Sequence, residues 1–237
     1  MKILSLILGF ISISFISEAQ EKPSFIAPPY SGKSPLIREV SIYRKQIIKD
    51  SNQALINLEG FIPHLKLDIR YATKNNFMHA RMYSLAKAYL RKPAALALRK
   101  VNQALNARGI GIIVYDAYRP YSITVKFYQK VGDSDFVASP RNGSKHNRGC
   151  ALDMGLYYLK TGIPLEMPTA FDSFSKEAAA DFKNLPPKAL EDRTLLARYM
   201  VQNDFHTIPT EWWHFDFKDW PRYNILDISF EQLKLIP

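Results

Sequence analysis

Two short segments of this 237-residue chain carry imidazole and carboxylate groups at spacings that could hold a metal ion. They are Ser144-Lys145-His146-Asn147-Arg148-Gly149-Cys150-Ala151-Leu152-Asp153 and Glu211-Trp212-Trp213-His214. If Gly149 permits a turn and a strand begins near Cys150, His146 on the loop and Asp153 on the strand converge on one ion, with His214 as a third donor. Three N/O ligands and one open position suit catalytic zinc, whereas structural zinc is usually enclosed by four ligands rich in cysteine. Cys150 is the only cysteine and cannot build such a cage. Two imidazoles and one carboxylate leave the ion a net positive charge, which polarises a carbonyl oxygen and favours hydroxide over water. Without a thiolate, the set fits zinc better than softer metals.

Hydrolysis at such a centre needs a base and a cation for the developing oxyanion. Glu211 can take a proton from water and hand it to the leaving amine. Positions 211 and 214 of a regular strand face opposite ways, so this role requires Glu211 to sit on a bend after Pro209. Arg119, between Tyr118 and Pro120, stays ionised and is the candidate oxyanion donor, with Asp116 placed to orient it. Each residue also has an ordinary reading: Glu211 as a solvated carboxylate, Arg119 as a turn residue paired with Asp116. Spacing alone leaves both open. His64, His79 and His206 are read as surface or core residues, Trp212 and Trp213 as core, and Cys150 as a small buried side chain.

The elements that must position these groups follow from local pattern. Leu65 to Tyr71 alternates apolar and polar, which predicts a half-buried strand with Tyr71 on the face of Leu65, Leu67 and Ile69. Pro93 to Ala107 predicts a helix, with proline in its first turn and Gly109 just past its end. Ile110 to Tyr115 is a short apolar strand, and Pro120 discourages helix at Arg119 while allowing one to start after it. The polar stretch 131–149 is a loop leading to a strand over 151–158. Further helices are expected over 175–183 and 188–203, and a strand over 212–217. Short strands mixed with helices favour an α+β fold.

With 47% hydrophobic and 13% aromatic residues, the chain can bury one substantial core, so one catalytic domain is expected. Residues 1–19 read as a secretory signal: Lys2, an apolar run from Ile3 to Ile16, then Ser17-Glu18-Ala19. That run is shorter than the ~20 residues needed to cross a bilayer. The expected location is therefore outside the cytoplasm, periplasmic or secreted, with no stable membrane insertion after cleavage. Cys150 can form no internal disulfide. The net charge of +10 is carried by scattered residues without a long basic run, which reads as a solvated surface and not as a nucleic-acid site.

Taken together, the segments resemble the SxHxxGxAxD and ExWH signatures of the D-Ala-D-Ala dipeptidases related to VanX, within the wider group of zinc D,D-peptidases. Asp68 to Thr73 with Asn76-Phe77, Asp116 to Pro120, and Met167 to Asp172 resemble further family blocks in the same order. The resemblance runs from about Leu65 to Phe217. It implies one Zn²⁺ held by His146, Asp153 and His214, with Glu211 as base and Arg119 as transition-state stabiliser. It also implies Tyr71 and Asp172 at the substrate's free amino end, Ser144 as a polar substrate contact, and a small antiparallel sheet flanked by helices. A carboxylate near an ammonium penalises substrates lacking one. Ser144 reads equally well as a local turn cap.

Pro168, Cys150 and the stretch Met78-His79-Ala80-Arg81 depart from the family pattern and bear on the shape of the pocket. The expected reaction is zinc-dependent hydrolysis of the D-Ala-D-Ala dipeptide. The alternatives are a D,D-carboxypeptidase trimming peptidoglycan stem peptides and a non-catalytic zinc-stabilised wall-binding module. The expected division is a signal over 1–19, an N-terminal leader and helix over 20–62, and a catalytic domain over 63–237.

Overall fold

The computed structural model describes residues 25–134 and 136–236, so the expected signal at 1–19 lies outside the described residues. In chain order the elements are β1 (Leu36–Ile37), α1 (Val40–Lys49), β2 (Leu55–Asn57), β3 (Lys66–Leu67), β4 (Tyr89–Arg91), α2 (Lys92–Asn106), β5 (Ile110–Asp116) and α3 (Tyr121–Val131). They continue with β6 (Ala151–Tyr158), α4 (Pro187–Val201), β7 (Phe205–Ile208), β8 (Glu211–Phe217), β9 (Ile225–Leu226) and α5 (Phe230–Lys234).

A five-stranded sheet runs in the order β3-β5-β6-β8-β7. β5, β6, β8 and β7 pair antiparallel, and β3 joins the edge in parallel through Lys66 opposite Ile113 and Leu67 opposite Val114. β5 is buried along its whole length, which explains why its sequence is a continuous apolar run without alternation. Helix α2 turns Ala94, Leu98, Val101 and Leu105 inward, one stripe at helical spacing, and all four are fully buried. Among the described residues, no helix is long and apolar enough to cross a membrane.

Two local expectations are corrected. The alternation over 65–71 yields only the short β3, because the chain turns into a 3-10 helix at Arg70–Ala72. Ile69 and Tyr71 are buried even so. The helix expected over 175–183 is reduced to a 3-10 turn at Lys176–Ala178, although its alanines favour helix. Tertiary partners claim that backbone: the Ala180 N–H donates to the Pro209 carbonyl, and the Ala179 and Phe182 carbonyls accept from Arg193.

Arg91, at the end of β4, is fully buried between the rings of Tyr43 and Tyr223. Its guanidinium donates to the carbonyls of Arg148, Gln53 and Asn224. Its backbone N–H donates to Gly149 at 2.8 Å. A charge so buried persists only with its donors satisfied. Here the satisfying carbonyls tie the 3-10 turn after α1 and the chain before β9 to the turn beginning at His146.

Candidate functional site

Pairing in the central sheet sets Asp116 opposite Asp153, and Asp153 opposite His214. Three polar residues thus form one row across β5, β6 and β8 within an apolar core. Two irregularities make the row work. β5 slips between Val114 and Asp116, and the β7–β8 pairing jumps from Thr207 opposite Phe215 to Ile208 opposite Glu211. The second slip releases Trp212, Trp213 and His214 from strict alternation. Glu211 and His214 can then share a cavity, with Glu211 Oε2 at 3.7 Å from His214 Nδ1. Glu211 is the first residue of β8, where a bend was required.

His146 enters from a 3-10 turn over His146–Arg148 that ends at Gly149 in the left-handed region, φ 68°. A Cβ at Gly149 would come within 2.4 Å of the end of the Leu55 side chain, and the left-handed backbone adds strain for any other residue. His146 Nδ1 donates to the Ala117 carbonyl at 2.7 Å, which leaves Nε2 facing the row. His214 Nε2 lies 2.9 Å from Asp216 Oδ1, and its Nδ1 faces Asp153. Both rings are therefore oriented from behind, as metal-ligating histidines commonly are.

The three inward atoms are 3.2 Å (His146 Nε2 to His214 Nδ1), 3.4 Å (His146 Nε2 to Asp153 Oδ1) and 2.9 Å (His214 Nδ1 to Asp153 Oδ1) apart. Tetrahedral coordination at ~2.1 Å spaces donor atoms about 3.4 Å apart. A small relaxation therefore accommodates an ion, and His146, Asp153 and His214 are a group able to hold one.

Electrostatics follow from this crowding. Burial would raise the Asp153 carboxyl, but His146 and His214 outweigh it and hold it well below the usual carboxylate range. Burial works against a charged His214, yet hydrogen bonds with Asp153 and Asp216 push it up to about 10. Burial raises Glu211 above an ordinary glutamate, with His214 pulling the other way. Arg119 is buried, and its Nε and Nη2 donate to Asp116 Oδ2 at 3.0 and 2.7 Å. Nη2 stands 4.0 Å from Asp153, and the guanidinium lies over the rings of Phe127 and Tyr71. Tyr83 donates to Asp116 Oδ1 at 2.7 Å and completes that clamp.

A cavity of about 280 Å³ opens over these groups, and Tyr71, Ser144, Asp172 and Glu211 line it. Tyr71 donates to Asp172 Oδ1 at 3.0 Å. Asp172 Oδ2 is buried without a partner among the described residues, and the residue holds a left-handed φ of 62°. Burial, reinforced by the charge of Asp153, pushes the Asp172 carboxyl well above its ordinary value. The Ser144 hydroxyl accepts the His146 N–H at 3.2 Å, so it caps the metal-side turn as well as lining the cavity. His64, His79 and His206 are exposed and outside the group. Cys150 is fully buried, its thiol pushed up to about 12 by burial.

Sequence reading missed Asp216, Tyr83 and the Ala117 carbonyl. Asp216 was within reach, because positions i and i+2 of a strand share a face and His214 already marked the face. Tyr83 and Ala117 carry no local signal; only the packing of the chain brings them in.

Two imidazoles and a carboxylate facing one point, with a second carboxylate and a clamped guanidinium beside them, form the arrangement of a metal-dependent hydrolase. The chain belongs to the peptidase M15 family described as D-Ala-D-Ala dipeptidase, whose profile matches residues 51–232. It is 32% identical over 176 residues to the D-alanyl-D-alanine dipeptidase of Escherichia coli, covering 74% of this chain and 91% of that one. Identity to the Enterococcus faecalis D-alanyl-D-alanine dipeptidase is 26% over 184 residues, covering 69% and 91%. Among solved structures, VanYB in complex with D-alanine-D-alanine matches with a TM-score of 0.36 at 14% identity, covering 57% of this chain and 75% of that one.

Proposed function

We propose that this chain is an exported zinc enzyme that hydrolyses D-Ala-D-Ala to two D-alanines, with its catalytic domain over 63–237 and a leader and helix over 20–62. The observation that carries the reading is the convergence of His146 Nε2, Asp153 Oδ1 and His214 Nδ1 within 3.4 Å of one another, each ring held from behind. Zinc held there supplies Lewis acidity, lowering the pKa of water and polarising the scissile carbonyl. Glu211 takes the proton from the attacking water and returns it to the leaving amine; its raised pKa brings it nearer to neutral pH, where such a relay works best.

Arg119 donates to the oxyanion through Nη1, which has no protein partner among the described residues, while Asp116 holds the other two nitrogens. Asp172 Oδ2 and Tyr71 receive the substrate's ammonium, which supplies the partner this buried oxygen lacks. Ser144 contributes a polar contact. Export is supported by the charged, apolar and small-residue pattern over 1–19.

The test is alanine release by zinc-loaded mature protein from D-Ala-D-Ala, L-Ala-L-Ala and a wall pentapeptide. Cleavage of the first alone is expected. Cleavage of the pentapeptide without the dipeptide would replace the reading with a carboxypeptidase, and zinc binding with no hydrolysis would replace it with a wall-binding module.

A further inference from the structure

The same cavity is also lined by Phe77, Phe136 and Phe174, rings that the reaction above does not use. Phe174 stands two residues past Asp172, and its ring meets Phe136 with centroids 5.2 Å apart and Phe77 at 5.8 Å. Phe77 in turn packs edge-on, at 6.0 Å, against Tyr71, whose hydroxyl donates to Asp172. A continuous ladder of rings therefore runs from Tyr71, which holds Asp172 Oδ1, out to the half-exposed Phe136, and all of these residues line the same cavity.

The last two rungs come from different parts of the chain. Phe136 precedes the turn that carries His146, and Phe174 follows β6. They are 45% and 48% exposed, against 3% for Trp212 and Trp213. Rings so wet add little to the core, since the stabilisation scales with the area removed from water. What distinguishes them is where they meet. Both line the cavity that Asp172 also lines, so a group added to a nitrogen held at Asp172 has to share that space with them. The cavity, at about 280 Å³, is also slightly below the ~300–1,000 Å³ usual for ligand pockets, so it has little room to spare.

We propose that Phe136 and Phe174 are specificity-determining residues: a steric filter that admits a free amino-terminal residue and rejects one whose nitrogen carries a further group. The filter rests on the dipeptidase reading. It acts separately from charge recognition by Asp172, because bulk alone triggers it.

The probe is N-propyl-D-Ala-D-Ala, which keeps a cationic nitrogen for Asp172 and adds only bulk. Its kcat/KM is compared with that of D-Ala-D-Ala for the wild-type zinc enzyme and for the double variant Phe136→Ala, Phe174→Ala. The wild type is expected to prefer the free dipeptide strongly, and loss of both rings to reduce that preference about tenfold or more, the scale on which a few methylenes are discriminated in a packed site. The pair Phe136→Leu, Phe174→Leu keeps apolar bulk at both positions, is expected to fall between, and serves if the alanine pair does not fold. A preference that does not change in a variant still cleaving D-Ala-D-Ala overturns the filter and leaves the dipeptidase reading standing. A wild type that cleaves both substrates equally well has the same effect. No cleavage of D-Ala-D-Ala by the wild type overturns both.

Discussion

The two ends of the cavity are built differently. At the metal-ligand end, Asp153 and His214 sit opposite one another on paired strands, and His146 is fixed by the Ala117 carbonyl. Each donor there has a second partner or a locked turn. At the other end, Tyr71 lies in a 3-10 turn, and Asp172 combines a left-handed backbone with an oxygen that no group among the described residues satisfies. The sheet thus holds the proposed metal donors, whose positions must not vary, and turns hold the groups proposed to meet the substrate. Backbone strain and an orphaned buried oxygen both cost stability, and they persist where the surroundings enforce them.

This contrast can be broken by substitution at each end. Glu211→Gln is expected to lower kcat by roughly 10²–10⁴-fold, the contribution of a positioned acid–base group, while bound metal measured by atomic absorption stays at the wild-type level. Wild-type turnover in that variant would remove Glu211 from the proton relay. Asp172→Asn should act through recognition instead: kcat/KM for D-Ala-D-Ala falls about 10–100-fold, mostly in KM, as expected for loss of one charge-assisted hydrogen bond. A drop confined to kcat would place Asp172 with the reacting groups and dissolve the division between the two ends.

The smallest effect sharpens the metal end. A proton and a metal ion compete for His214 Nδ1, whose pKa is pushed up to about 10. Zinc affinity measured against a competing chelator should therefore rise about tenfold per pH unit across neutrality for the proton displaced. A flat profile would exclude His214 as a ligand. For the metal-free protein the linkage has the opposite sense: the raised pKa contributes stability that is fully present below the unfolded value of ~6.5 and is lost as pH rises through about 10.

Much of this was legible in the sequence because it is local. The turn at Gly149, the strand after it and the helix following Pro120 are each written in neighbouring residues, and the candidate donors His146 and Asp153 lie on the first two. What was not legible is relational. The alternation from Leu65 to Tyr71 cannot reveal that the chain turns at Arg70, nor that β3 joins its neighbour in parallel. The alanines near 178 favour helix until Pro209 and Arg193 claim their backbone. The slip in β8, on which the placement of Glu211 depends, exists only as a mismatch between two strands.

The row of Asp116, Asp153 and His214 also bears on when an ion can be acquired. His214 is 61 residues from Asp153 and 68 from His146 along the chain. Contacts of that span form only after their loop-closure entropy has been overcome, and a one-residue slip of β6 or β8 would turn the donors to the wrong face. An incompletely folded chain therefore offers isolated donors and no converged group. On the proposed zinc reading, metal loading is coupled to completion of the central sheet, and the ion is taken up where the chain finishes folding.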